Sequence, residues 1–185
     1  VSRGNIGVIG ASGTEIQQVT CLIDQLGHGI SHAIGTGGHD LREAVGGITM
    51  RSALALLAKD PATDIIVLIS KPPADSVARS LVTAAQKISK PVVINFLGAA
   101  PSLRSDLSKA GDNITWADTL ESAAYLAVSL LPNTEAWAAT QARMQQRLVP
   151  FNDVIASRVP LLKDTQVNVR GLYTGGTFCY EAQLL

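Results

Sequence analysis

Cysteine, aromatics and charge are all scarce in this chain of 185 residues. The two cysteines, Cys21 and Cys179, are too few for a disulfide framework or a zinc site. The expected setting is therefore a reducing cytoplasm, and no metal site is expected. Charged residues make up 16% of the chain, and Lys+Arg and Asp+Glu number 15 each. A neutral chain lacks the basic surface of a nucleic-acid binder and has no acidic or basic tail. No apolar run approaches the roughly 20 residues that cross a membrane. The opening Val1-Ser2-Arg3-Gly4 is not read as a secretory leader. With 46% hydrophobic residues, the chain can still bury a sizeable core.

Glycine is plentiful, with 16 residues. Most are gathered in Gly10-Ala11-Ser12-Gly13, Gly35-Thr36-Gly37-Gly38, Gly46-Gly47 and Gly175-Gly176. The first two clusters each follow a short strand-like run, Asn5 to Ile9 and Ile30 to Ile34. Ile16, Val19, Leu22, Ile23 and Leu26 fit one helix face, as do Met50, Leu54 and Leu57 in a helix ending near Asp60-Pro61. Ile65 to Ile69 is a continuous apolar run, which predicts a strand covered on both faces. Asp75 predicts a cap for a helix carrying Val77, Leu81, Ala84 and Ile88. Val92 to Phe96, a short helix around Leu103 and Leu107, and Asn113 to Trp116 continue the alternation. Thr119 with Ser122 opens a helix to about Leu131. Strand and helix alternate about five times, which predicts a parallel sheet with helices on both faces. Beyond Pro132, Thr134 to Leu148 reads as a polar connector helix with a stripe of Trp137, Met144 and Leu148. Pro150 to Thr165 shows no pattern, Val167 to Tyr173 reads as a strand, and Thr177 opens another helix. The expected division is a domain over residues 1–132, a connector over 133–166, and the start of a further α/β domain over 167–185. The chain reads as a piece of a longer protein.

Ligands of open parallel sheets sit beyond the carboxyl ends of the strands. There, Gly10, Ala11, Ser12, Gly13 and Thr14 join a strand to a helix N-terminus. Unpaired backbone N–H groups and the helix dipole attract anions at such a point, and Ser12 and Thr14 add hydroxyls. Two readings stand: a phosphate or carboxylate site, or a tight capped turn with no ligand. The spacing Gly7-x-x-Gly10-x-x-Gly13 departs from the dinucleotide fingerprint, and no acidic residue closes the second strand. A P-loop is excluded, because no Lys-Ser/Thr pair follows. Gly37, Gly38 and Asp40 are expected to form a rim. His39 is a candidate for proton transfer, with a solvent-facing loop as the alternative. Lys71, directly after the third strand, either complements an anion or is simply exposed. His28 is expected at the surface, His32 packed within its strand, and Cys21 as a small apolar filler. Cys179 follows a glycine turn with no base beside it. Arg104 and Lys109 read as a solvated helix face.

The stretches Gly4-Asn5-Ile6-Gly7-Val8-Ile9-Gly10-Ala11-Ser12-Gly13-Thr14, Ile34-Gly35-Thr36-Gly37-Gly38-His39-Asp40-Leu41, Val45-Gly46-Gly47-Ile48-Thr49 and Leu68-Ile69-Ser70-Lys71-Pro72-Pro73 together resemble the FdrA family. That family is similar in turn to succinyl-CoA ligase alpha subunits and NDP-forming acyl-CoA synthetases. The resemblance covers residues 3–131 and resumes at Arg170-Gly171-Leu172-Tyr173-Thr174-Gly175-Gly176-Thr177. It implies a flavodoxin-like, doubly wound, three-layer α/β fold with five parallel strands in the order 2-1-3-4-5. In the ligases a Ser-Gly-Thr turn, matched here by Ser12, Gly13 and Thr14, points at a phosphoryl group carried on a histidine. The ligase histidine lies in a Gly-His-Ala-Gly loop after the fourth strand; here that loop reads Leu97-Gly98-Ala99-Ala100. The ligase glutamate after strand three is matched by Ser70-Lys71. The resemblance therefore implies a kept anion turn and a lost phosphohistidine relay. It places the family's CoA-binding domain ahead of this segment, so no cofactor is expected within it, and CoA or a nucleotide is reserved for the full-length protein. Three functions follow. One is acyl or phosphoryl transfer in a ligase-type acyl-CoA synthetase. Another is a subunit of an oxamate carbamoyltransferase in allantoin catabolism, acting on carbamoyl phosphate. The third is a non-catalytic scaffold or ligand-sensing module. The expected partners are a small anionic substrate (phosphate, acyl phosphate or carbamoyl phosphate) and other domains or subunits of an oligomeric enzyme, with neither nucleic acid nor membrane.

Overall fold

The computed structural model describes residues 1–107, 111–132, 134, 137–168 and 170–185. Strands β1 (Arg3–Gly10), β2 (Ile30–Gly35), β3 (Ile65–Ser70), β4 (Val92–Phe96) and β5 (Ile114–Trp116) form one parallel sheet in the order β2-β1-β3-β4-β5. Helices α1 (Gly13–Gln25), α2 (Ile48–Lys59), α3 (Asp75–Gln86), α4 (Pro101–Leu107) and α5 (Leu120–Ser129) connect and follow them. This is the doubly wound three-layer α/β arrangement that the alternating pattern and the resemblance imply.

Side chains alternate across the sheet and split the core in two. Ile9, Ile66, Leu68, Ile94 and Phe96 pack with Met50, Leu54 and Leu57 of α2 and Val77 and Leu81 of α3. Ile6, Val8, Val67, Ile69 and Val93 face Val19 and Ile23 of α1 and Ala123, Ala124 and Ala127 of α5. All six residues of β3 are buried, as a central strand of a parallel sheet requires. β2 is an edge strand and mostly uncovered. That overturns the packed reading of His32, whose side chain is 45% exposed and lies 3.2 Å from Asp60. Cys21 is likewise exposed on α1 rather than a core filler.

Three local expectations change. Asp75 is the first residue of α3, not its cap; Ala74 precedes it and no side chain caps the helix. The carboxylate instead lies in the first turn, where it favours the helix dipole. The polar helix, α6, runs from Trp137 to Arg158 straight through Pro150. A proline there removes one backbone hydrogen bond, and on this exposed stretch the freed carbonyl meets water. A 3-10 turn follows at Val159–Leu161. The described residues of 167–173 form no strand; they are exposed and pair with neither sheet edge. Lys109 and the side chains of Arg104, Trp137, Met144 and Leu148 lie outside what the structure describes.

Helix α7 (Gly176–Leu184) returns to the sheet. Phe178 and Tyr180 pack against the α1/α5 side of the core. Among the described residues, no helix is long and apolar enough to cross a membrane.

Candidate functional site

The turn after β1 is held from below. The Ala11 N–H donates to Ile69 O at 3.2 Å, and the Thr36 N–H donates to Gly10 O at 2.9 Å. Ser12 then takes the extended backbone of an N-cap, with φ −127° and ψ 137°. Glu15 reaches back and accepts the Ser12 N–H at 2.6 Å through Oε1. Glu15 is wholly buried. A Cβ on Gly10 would lie 3.3 Å from its Oε1 and 2.5 Å from Ile16, so only glycine lets α1 sit this close. Loss of water pushes the Glu15 carboxyl up to about 7; the amides of Ser12 and Ala11 and the charge of Lys71 oppose that rise in part. Its second oxygen, Oε2, is buried without a hydrogen-bond partner.

The N-terminus of α7 meets that of α1. Thr177 is 1% exposed, and its Oγ1 lies 3.1 Å from Ser12 Oγ as hydrogen-bond donor. A Cβ on Gly175 would stand 2.8 Å from Thr14 Oγ1, and one on Gly176 would stand 3.2 Å from Lys71 Nζ. Two positive helix ends and one ammonium therefore crowd together, with Glu15 as the carboxylate at their base. Each helix N-terminus carries the equivalent of about half a positive charge.

Beside this junction lies a cleft of about 750 Å³. Ala11, Ser12, Gly38, His39, Arg42, Glu43 and Lys71 line it, with Leu41, Pro72 and Ala74 as its apolar part. The structure thus brings the Ser12 turn, His39 and Lys71 to one place, although they are far apart in sequence. Gly38 lines the cleft. Gly37 has a positive φ of 83° and open space around it. Asp40 is not on the rim. It is 5% exposed, and its carboxylate accepts the N–H groups of Thr49 at 2.8 Å and Met50 at 2.9 Å. It caps α2 because the N-cap residue, Gly47, has no side chain to do so.

The loop after β4 contains no histidine. Gly98 has a φ of 67°, and a Cβ there would meet the Tyr180 hydroxyl at 2.5 Å. Helix α7 thus covers the place where the resemblance puts the ligase histidine. Ser70, at the end of β3, is buried with an unpartnered hydroxyl, while Lys71 turns out to the cleft. Cys179 is half-buried on α7. Among the described residues no group of three His, Cys, Asp or Glu could hold a metal ion.

Sequence reasoning missed Glu15, Arg42, Thr177 and Tyr180. For Glu15 a signal was present, since Ser12-Gly13-Thr14-Glu15 is the Ser-x-x-Glu capping pattern. For Thr177 and Tyr180 there was none, because nothing local ties α7 to a turn at the other end of the chain.

A family model described as CoA binding domain matches residues 1–98, 98 of the 185 residues. That match lies within this chain, which corrects the expectation that the CoA-binding domain precedes it. YahF of Escherichia coli K12 is 40% identical over 181 residues, 98% of this chain and 33% of that protein. The malate–CoA ligase alpha subunit of Methylorubrum extorquens is 31% identical over 90 residues, 49% of this chain and 29% of the subunit. The ADP-forming succinate–CoA ligase alpha subunit of Aquifex aeolicus is 28% identical over 109 residues, 59% of this chain and 34% of the subunit. The chain spans about a third of the length of these relatives.

Proposed function

The chain belongs to the CoA-binding-domain family, and on that footing we propose that it is the anion-binding domain of a CoA-ligase-related enzyme. The reading rests on the meeting of the α1 and α7 N-termini at Lys71, beside the Ser12 cleft. Such a junction has an excess of positive potential that a small anion relieves. The anion class is phosphate, acyl phosphate or carbamoyl phosphate. The chain's part is to bind the anion with the Ser12 hydroxyl and Lys71, and to offset charge that builds during acyl or phosphoryl transfer. No histidine stands in the β4–α4 loop to carry a phosphoryl group, so transfer proceeds without a phosphohistidine in this domain. That same feature favours carbamoyl transfer as a second reading, because carbamoyl phosphate needs no phosphorylated histidine. A scaffold or sensing role would keep the turn and dispense with chemistry.

The donor set also fits the phosphates of CoA: Ser12, Lys71 and Arg42 would hold them, with Leu41, Pro72 and Ala74 available to apolar parts. Bound CoA would supply a thiol as acyl acceptor. The setting proposed is a cytoplasmic enzyme with further domains or subunits.

Phosphate, carbamoyl phosphate and CoA, added separately, are the test. A ligand that binds only the folded state raises the melting temperature, and at a hundredfold excess over Kd the gain is about 2.7 kcal/mol. At least one is expected to raise it, and Lys71→Glu is expected to abolish the rise. No response to any of the three would leave only the scaffold role.

A further inference from the structure

Glu15 is an unusual group to find at the base of an anion site. A buried carboxylate beside the Ser12 turn opposes the very charge the turn attracts. It cannot be explained as a plain helix cap, because a cap needs one oxygen and is normally half in water. Here Oε1 takes the Ser12 N–H, Oε2 has no partner and the whole side chain is out of contact with solvent. A charged oxygen in that position is costly, whereas a protonated one is not. Oε1 is held by a donor, so Oε2 is the oxygen that takes the proton.

The groups around it are few. Lys71, from the β3–α3 connection, is a cation whose charge acts on it. From α7 come Thr177, bonded to Ser12, Tyr180, set against Gly98, and Glu181. Glu181 accepts the Leu120 N–H at 2.7 Å and is occupied in capping α5. From the β2–α2 connection, His39, Arg42 and Glu43 line the cleft. The adjoining ends of β1 and β3, Gly10 and Ile69, carry no charge. Protonation of Glu15 therefore decides whether the junction presents Lys71 and two helix ends uncompensated or partly neutralised.

We propose that Glu15 is the proton-linked gate of this site: its protonated form admits the anion, its ionised form repels it, and binding draws one proton from solvent onto Oε2. The proposal rests on the anion-site reading above. By linkage, a bound anion in turn makes Glu15 hold its proton more tightly.

Sulfate is the probe, because its charge is constant from about pH 6 to about pH 8. His39 lines the same cleft, so both proteins compared carry His39→Gln. With Glu15 intact, sulfate affinity is expected to fall about tenfold between pH 6 and pH 8, the ratio of protonated fractions for a group titrating near 7. With Glu15→Gln added, the amide still accepts the Ser12 N–H, and the change is expected to stay within about twofold. Equal pH dependence in the two proteins would overturn the gate and leave the anion site standing. No sulfate binding by either at any pH would overturn the anion site, and the gate with it. Should Glu15→Gln not fold, calorimetry of the Glu15-intact protein in two buffers of different ionisation heat decides the matter. Uptake of about half a proton per sulfate at pH 7 supports the gate, and zero uptake overturns it.

Discussion

At the scale of single residues, burial decides what Glu15 does. Its unfolded value is the ordinary 4.5, and its folded value is about 7. The folded state therefore holds the proton more tightly than the unfolded one. Stability from this group is full below about pH 4.5, declines as pH rises toward 7, and stays low above that. The shift is worth on the order of 3 kcal/mol. Glu15→Gln removes the ionisation and keeps the cap. The variant is expected to gain up to a few kcal/mol over the native protein at pH 8 and almost nothing near pH 5. Urea unfolding at the two pH values measures it; equal gains at both would show that the native carboxyl is not desolvated. Gly10 and Lys71 belong to the same account, since one lets the carboxyl come close and the other holds part of its charge.

Elements show where one glycine is required and another is not. Gly47 caps α2 with a φ of 71°, and a Cβ there would lie 2.9 Å from Val77 Cγ1. Gly47→Ala is expected to cost about 1–2 kcal/mol from the left-handed backbone, and the contact with Val77 adds to it. Gly38→Ala, in open space, is expected to change stability by less than about 0.5 kcal/mol. Thermal unfolding of the pair separates the two. The same distinction explains how far the sequence could be read. The runs Ile65 to Ile69 and Val92 to Phe96 and the helix faces of α1 and α3 follow from burial repeated along the chain, and they were legible. So was the meeting of Ser12, His39 and Lys71, because each follows the carboxyl end of a strand. His32 was misread because an edge strand looks like a central one until its neighbours are known. Asp40 was misread because its carboxylate serves N–H groups beyond two glycines, a reach no local pattern shows. The described residues of the strand expected at 167–173 pair with neither sheet edge, and their composition alone does not show that.

At the scale of the molecule, a packed sheet and an uncovered arm share one chain. Every described residue over 149–174 is exposed, including Phe151, Ile155 and Leu161. Brief trypsin treatment is expected to cut first at Arg158, Lys163 and Arg170, before any site within residues 1–131, with mass spectrometry identifying the cuts. Early cleavage within α1 or α5 would show that the arm is better protected than the body. Beyond that arm the chain comes back, and the Ser12–Thr177 hydrogen bond joins residues 165 apart in sequence. Closing a loop of that length has an entropic cost that grows slowly with its length, and contacts of long sequence separation form slowly. The sheet can assemble from neighbouring units, strand by strand, while this bond has to wait for the whole length of the chain. Ser12 and Thr177 are thus expected to join late in folding. On the proposed anion-site reading, anion affinity at this junction would report complete folding, and a chain that had built its sheet without seating α7 would be compact yet fail to bind the anion.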